Sequence, residues 1–216
     1  MSRISFPDCR LYCIIDRAVI QGREPVEVAE AAIRGGAEVI QWRDKDSSDR
    51  RFLEVALRLR ELTQRHSIFF VVNDRVAAAI LAKADAVHVG HEDLSVGEVR
   101  SLAGSSLCVG RSTHSLSEAL EAQEQGADYI AVGPIFSTPT KPDYPAVGLE
   151  LIRQVKPRLK IPWVAIGGID LDHLPLVLSA GATRVAVVRA VAGASDPQAA
   201  ARELKAALST PREGRS

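Results

Sequence analysis

Short apolar runs alternate with helical segments eight times along the chain, and this alternation restricts the available folds more than any other feature. The runs are too apolar to face water, which is typical of parallel strands buried on both faces. They cover residues 11–16, 39–43, 68–72, 86–89, 107–110, 129–136, 163–166 and 185–188. Helical periodicity or capping residues predict helices between them, at 25–34, 49–66, 77–82, 96–102, 115–125, 149–155, 172–179 and 197–208. Ser115 with Glu118 predicts a capping box, and Ser195 is the expected cap of the last helix.

A local signature repeats at the helix-to-strand junctions. GGAEVI at 35–40, QGADYI at 125–130 and AGATRV at 180–185 each place Gly-Ala between a helix and a strand, where a positive φ favours glycine. Eight strand–helix units in 216 residues predict an α/β chain with one domain, a closed (β/α)8 TIM barrel over residues 11–208. Residues 1–10 would be a lead-in and 209–216 a disordered tail. An open doubly wound sheet is the alternative, but no Gly-x-Gly-x-x-Gly follows the first strand.

Charge and composition exclude several classes of protein. Lys and Arg number 27, as do Asp and Glu, so the net charge is zero and we expect no nucleic-acid or membrane surface. No apolar run approaches the roughly 18 residues of a membrane span, and no signal peptide is evident, so we expect a cytoplasmic protein. Cys9 and Cys13 lack a second pair to complete a zinc site, and with Cys108 they are expected to be buried free thiols.

In a TIM barrel the active site lies at the carboxyl ends of the strands. After strand two, alternation sends Gln41, Arg43 and Lys45 to one side and Trp42 and Asp44 to the other. An amide and two cations on one side predict a clamp for an anion and a polar ring, and an exposed charged loop is the alternative.

Two carboxylates follow strands three and four. Asp74 comes after Asn73, Asp93 follows the next strand, and both can reach one point above the barrel. Hard oxygen ligands of this kind suit Mg²⁺ with water and phosphate oxygens, although either aspartate could instead cap a helix. His88 is interpreted as a packing or hydrogen-bonding residue.

The remaining strand ends offer further anion-binding groups. Ser112 follows strand five, a hydroxyl-rich segment follows strand six, and Gly167-Gly168 follows strand seven, where barrels often hold a phosphate. These groups predict a diphosphate subsite near strands two to six and a monophosphate subsite at strands seven and eight. Because no general base is apparent between them, we expect ionisation of a diphosphate, with Mg²⁺ and three cations neutralising the leaving group: Arg43, Lys45 and Lys141.

The motifs QWRDK, VNDR, HVGHEDL, GRSTH, GPIFSTPTK and AIGGI, in this order and spacing, resemble the thiamine-phosphate synthase family over about residues 11–208. The resemblance implies a Mg²⁺-dependent transferase that joins hydroxymethylpyrimidine diphosphate to thiazole phosphate through a pyrimidine carbocation and releases pyrophosphate. It assigns the pyrimidine diphosphate to Gln41, Trp42, Arg43, Asp44, Lys45, Asn73, Ser112 and Lys141. It assigns Mg²⁺ to Asp74 and Asp93, and the thiazole phosphate to Thr138, Pro139, Thr140, Gly168, Val188 and Arg189. Arg43, Lys45, Asn73, Ser112 and Lys141 are the expected catalytic residues.

Two positions depart from the family pattern. Trp42 stands where a smaller aliphatic residue is usual, and alternation points it away from the ligand. Arg189 stands where a serine is usual, so its guanidinium could add a phosphate contact or crowd the substrate. The alternatives are a thiazole tautomerase, which resembles the synthase but has histidine at the position of Pro134, and a regulatory paralogue without activity. The expected partners are small-molecule substrates, and the sequence leaves a homo-oligomer open.

Overall fold

A computed structural model of the chain describes residues 5–140 and 145–209. Eight strands form a closed barrel in chain order, all parallel, with the last strand paired to the first. They are β1 (Leu11–Asp16), β2 (Val39–Arg43), β3 (Phe69–Asn73), β4 (Ala86–Val89), β5 (Cys108–Thr113), β6 (Tyr129–Val132), β7 (Trp163–Ile166) and β8 (Val185–Val187). The predicted TIM barrel is confirmed.

Helices follow the strands on the outside of the barrel. They are α1 (Pro25–Arg34), α2 (Asp49–Arg65), α3 (Val76–Leu81), α4 (Val96–Ala103), α5 (Leu116–Glu124), α6 (Gly148–Val155), α7 (Leu174–Ala180), α8 (Arg189–Ala192) and α9 (Pro197–Ser209). The short α8 was not predicted, because its four residues are too few to show a period. None of the helices in the described ranges has the length and apolar character that crossing a membrane requires.

The helix caps differ from the prediction in two places. The Ser115 side chain accepts from the Glu118 N–H (3.2 Å), but the Glu118 carboxylate accepts from the His114 N–H instead of completing the box. At α9, the Asp196 side chain accepts from the Ala199 N–H at 3.0 Å, so Asp196 takes the role expected of Ser195. The complete capping box belongs to α4, between Ser95 and Glu98.

The strands separate two apolar layers. Alternate side chains such as Ile40, Trp42 and Val72 face the helices, whereas Val39, Val71 and others fill the barrel interior. Phe6, from the lead-in, also belongs to the interior layer and stacks on Tyr129 with ring centroids 4.1 Å apart. Phe6 therefore covers the amino end of the barrel, and the carboxyl end is left for the site.

Three carboxylates form a repeated contact at the amino ends of the strands. Glu38, Asp85 and Asp128 directly precede β2, β4 and β6, and each accepts a backbone N–H of the strand before it, at 2.6 to 3.0 Å. Each also pairs with a cation on a helix, which is Lys205, Arg60 or Arg100. The Gly-Ala signature precedes two of these carboxylates, and its glycines at 36, 126 and 181 have the predicted positive φ. These contacts hold strand pairs and outer helices in register.

Candidate active site

A cavity of about 490 Å³ opens at the carboxyl ends of the strands, where the sequence places the active site. All eight strands or the segments directly after them contribute to its wall. Ten of the residues assigned to substrate line it: Gln41, Arg43, Asn73, Ser112, Thr138, Pro139, Thr140, Gly168, Val188 and Arg189. Lys141, the predicted cation after β6, lies outside the described residues. The fold thus gathers side chains that are up to 148 positions apart in sequence, from Gln41 to Arg189.

Arg43 reaches the cavity from the end of β2. Its guanidinium pairs with the carboxylate of Asp16, the last residue of β1 and its register partner. The Arg43 side chain is 17% exposed and that of Asp16 only 2%, so the ion pair lies at the boundary between the core and the cavity. A cation held by a buried carboxylate at this place can contact an anionic ligand without leaving its partner.

Asp74 and Asp93 converge beside the cavity. The Asp93 carboxyl lies within hydrogen-bonding reach of that of Asp74, and the Lys45 ammonium pairs with Asp74. Asp74 has a φ of 57°, which is uncommon for a residue with a Cβ, and its N–H donates to the His88 carbonyl at 2.8 Å. Burial and then the nearby Asp93 carboxyl raise the pKa of Asp74, although Lys45 acts in the opposite direction. Two carboxylates held this close attract a cation.

A chain of hydrogen bonds inside the barrel supports the floor of the cavity. The His88 ring contacts the Ser112 hydroxyl at 2.9 Å through Nε2 and the Tyr129 hydroxyl at 3.0 Å through Nδ1. The Tyr129 and Tyr12 hydroxyls lie 3.2 Å apart, and Gln41 Nε2 donates to Tyr12 at 2.5 Å. Burial raises the pKa of both tyrosines above the usual range, so they remain neutral. The expectation that His88 forms hydrogen bonds is confirmed, and the chain fixes Gln41 and Ser112.

The opposite wall forms where the segment after β6 crosses the end of β7. The N–H groups of Ile135 and Phe136 donate to the carbonyls of Ile166 and Gly167 at 2.8 and 3.0 Å. Gly168 has a φ of 62°, and a Cβ there would lie 2.7 Å from the Phe136 Cβ, so the position requires glycine. Thr138, Pro139 and Thr140 continue this wall.

Gly167 and Gly168 precede α7, which begins at Leu174 and not at the predicted residue 172. The monophosphate subsite at these glycines stays a prediction. The helix that begins at the cavity is α8, and its first residue, Arg189, is exposed at the wall. Arg189 therefore lies at the mouth, as the sequence predicted.

Three residues of the QWRDK motif do not line the cavity: Trp42, Asp44 and Lys45. Their assignment to substrate stays a prediction. Trp42 is fully buried and packs against Phe52 of α2 with ring centroids 5.8 Å apart, as alternation predicts. Asp44 is buried, and its carboxylate accepts the N–H groups of Asp46 and Ser47, each at 3.1 Å, so it shapes the loop after β2. Lys45 lies beside Asp74 and is also absent from the cavity wall.

Several cavity residues escaped the sequence prediction. Tyr12 lies within an apolar run and was interpreted only as a strand residue. His114 ends the GRSTH motif but was given no role, and His173 lies in a turn outside the motifs. Asp16, which pairs with Arg43 beside the cavity, could have been found, because the rule that strand ends carry chemistry also applies to β1.

Comparison with known proteins gives the family. Residues 11–191 match the family model described as thiamine monophosphate synthase. The chain belongs to the thiamine monophosphate synthase family. A thiamine-phosphate synthase from Chloroflexus aurantiacus is 48% identical over 99% of both chains. A longer thiamine-phosphate synthase from a Synechococcus strain is 46% identical over 91% of this chain, which spans only 56% of that protein.

A solved structure agrees with this assignment. Thiamine phosphate pyrophosphorylase from Pyrococcus furiosus superposes with a TM-score of 0.86 at 40% identity, covering 93% of this chain and 95% of that one. The resemblance found in the motifs is confirmed, and so is the transferase class of the thiamine monophosphate synthase family.

Proposed function

We propose that the cavity joins hydroxymethylpyrimidine diphosphate to thiazole phosphate, giving thiamine phosphate and pyrophosphate. The observation that carries the proposal is the division of one cavity between two kinds of wall. Arg43, Asn73 and Ser112 lie on the side of β2 to β5, whereas hydroxyls and a glycine lie on the side of β6 and β7. A cationic wall suits a diphosphate, and a wall of small hydroxyls and backbone suits a monophosphate.

The residues beside the cavity fit a divalent cation. Burial and then the nearby Asp93 carboxyl raise the pKa of Asp74, and a cation between the two carboxyls would offset their repulsion. Within residues 5–140 and 145–209 no three acidic, histidine or cysteine side chains cluster, so the other ligands would be water and phosphate oxygens. Such oxygen ligands are those that Mg²⁺ prefers. Mg²⁺ bound there would offset negative charge on the departing pyrophosphate.

The proposed reaction needs charge stabilisation but no proton transfer. The bond between the pyrimidine methylene carbon and the diphosphate oxygen breaks, and its electron pair leaves with pyrophosphate. The thiazole nitrogen then forms the new bond with its lone pair. Arg43 and Lys45 would stabilise the leaving group, and we expect the same of Lys141. Asn73 and Ser112 would orient the diphosphate. Both ring nitrogens of His88 are already hydrogen-bonded, which agrees with a reaction that needs no base there.

Removal of either carboxylate tests this proposal. We expect Asp74→Asn and Asp93→Asn each to lower the rate of pyrophosphate release about 10²–10³-fold, because each removes a charge from the cation site. Asp46→Asn, an exposed aspartate in the loop after β2, is the control and should keep the parental rate. Near-parental turnover of both variants at saturating Mg²⁺ would refute the metal assignment. An absence of pyrophosphate release by the parent with both substrates would refute the function.

A further inference from the structure

Asp16 occupies an unusual place for a carboxylate. It ends β1 directly beside Arg43, and its side chain is 2% exposed next to a cavity that we assign to anionic substrates. A negative charge there repels a diphosphate, and a buried charge is costly unless it is paired. Neither substrate binding nor burial therefore explains the carboxylate, whereas its contact with Arg43 does.

The Asp16 carboxylate is itself immobilised. Its Oδ1 accepts the N–H of Ala18 at 2.9 Å, and its backbone carbonyl accepts the N–H groups of Val19 and Ile20 at 2.9 and 3.1 Å. The Arg17 N–H donates to the Arg43 carbonyl at 2.9 Å, which ties the two strand ends together. A carboxylate fixed by its own turn gives Arg43 a rigid partner.

Asp16 engages one end of the guanidinium. The contact joins Arg43 Nη1 to Asp16 Oδ2, and within the described residues Arg43 has no other side-chain hydrogen bond. Nη2 and Nε are then available to a ligand in the cavity. Because the fork is planar, fixing Nη1 also fixes the direction of these two donors.

We propose that Asp16 is a positioning residue that aims the free donors of Arg43 at the leaving group during bond cleavage. This inference rests on the proposed function. It assigns Asp16 a role in the transition state and a small unfavourable effect on ground-state binding, because the carboxylate and the diphosphate are both negative and repel each other.

Asp16→Asn separates these two effects. We expect kcat to fall on the order of 10–100-fold, because the guanidinium loses its fixed direction. The KM for the pyrimidine diphosphate should stay the same or fall, since a repelling charge is removed. The affinity for inorganic pyrophosphate with Mg²⁺, measured by calorimetry, should likewise stay the same or increase. A loss of general structure would instead weaken binding together with turnover.

Three further variants make the test specific. Asp85→Asn removes a comparable partly buried carboxylate from its pair with Arg60 at the other end of the barrel, and should lower stability without changing kcat. Asp16→Glu keeps the charge but moves the guanidinium by the length of a methylene, and should also lower kcat. In the double variant Asp16→Asn, Arg43→Ala, kcat should match that of Arg43→Ala alone within roughly a factor of 2, because Asp16 acts through Arg43.

The outcomes separate the two proposals. The positioning role would be overturned if Asp16→Asn retained its kcat, with or without a raised KM. It would also be overturned if the two kcat losses multiplied in the double variant, or if Asp85→Asn lost as much kcat as Asp16→Asn. These results presuppose a parent that releases pyrophosphate. A parent that forms none would overturn the proposed function. In that case, unchanged or tighter binding of pyrophosphate by Asp16→Asn would still show that the variant is folded and that the substitution acts locally.

Discussion

Arg189 stands where the resemblance to the family led us to expect a serine. It begins α8 at the wall of the cavity, beside Val188, and is exposed. Within the described residues no carboxylate pairs with it, so its charge is available to a ligand phosphate. A charge-assisted hydrogen bond at an exposed site contributes less than a buried one, because water screens it.

We predict that Arg189→Ser weakens binding of the thiazole phosphate on the order of 10-fold and leaves the affinity for the pyrimidine diphosphate unchanged. Calorimetric titration of each ligand into both proteins measures this. Arg158→Ser, on the surface beyond α6, is a control for the loss of one positive charge. Equal or tighter binding of the thiazole phosphate by Arg189→Ser would mean that the guanidinium crowds the substrate.

Single site residues could be predicted where a polar or charged residue suited to an anion lies at the carboxyl end of a strand. Gln41 and Arg43 were found in this way, because alternation fixes which side of a strand they face, and Ser112 was found from its position at the end of strand five. Contacts between distant strands could not be read from spacing. The hydrogen bonds among Tyr12, Tyr129 and His88 depend on barrel closure, which brings together side chains that no local pattern connects.

At the scale of elements, the carboxylates below the strands couple strands to helices. Glu38 accepts the N–H groups of Arg10 and Leu11 and pairs with Lys205 of α9. Burial raises its pKa, but the contacts with Lys205 and the two N–H groups outweigh burial and lower it. Because the folded pKa lies below the unfolded one, the contribution of Glu38 is present above about pH 4.3 and is lost as the pH falls through the folded value.

We predict that Glu38→Gln lowers the free energy of unfolding by about 1 kcal/mol at pH 7, since the half-exposed site is partly screened. The difference from the parent should shrink below about pH 4, where the parental carboxylate is protonated as well. Urea denaturation at both pH values measures this difference. Glu30→Gln is the control, because it removes a carboxylate from an exposed ion pair on α1. A difference that persisted unchanged in acid would show that the charge of Glu38 is not what stabilises the junction.

Element types could be predicted, but some boundaries could not. Apolar runs located all eight strands, since burial on both faces leaves a continuous hydrophobic signal. The run at 129–136 was extended too far, because Ile135 and Phe136 are apolar yet belong to the segment that crosses β7. The start of α7 was also placed too early, because Asp172 and His173 lie in a turn before it.

Across the whole molecule, the two apolar layers enclose every cysteine. Cys13 packs between strands and helices, and Cys9 and Cys108 belong to the barrel interior, all three as buried free thiols. Burial, followed by the charge of Glu38, raises the pKa of Cys9 to about 12, and burial raises the pKa of Cys13 further still. The prediction of buried free thiols is confirmed.

We predict that no cysteine of the native protein reacts with a thiol reagent at pH 8 within minutes, because only about 10⁻⁴ of Cys9 would be thiolate even if it were reached. All three should react after unfolding. Stability should also fall above about pH 8.5, because the unfolded chain loses thiol protons that the folded chain retains. Rapid labelling of the native protein at pH 8 would show that the barrel opens at its amino end.

The carboxylate contacts and the cavity occupy opposite ends of the same eight strands. Selection for heat tolerance and selection for substrate choice can therefore act on separate sets of positions. The junction before β8 illustrates this freedom, since Arg184 stands where the junctions before β2, β4 and β6 have a carboxylate, and it pairs with Asp8 instead. A library of variants restricted to the amino ends should yield a range of melting temperatures with one substrate preference. The same number of changes around the cavity should alter substrate preference.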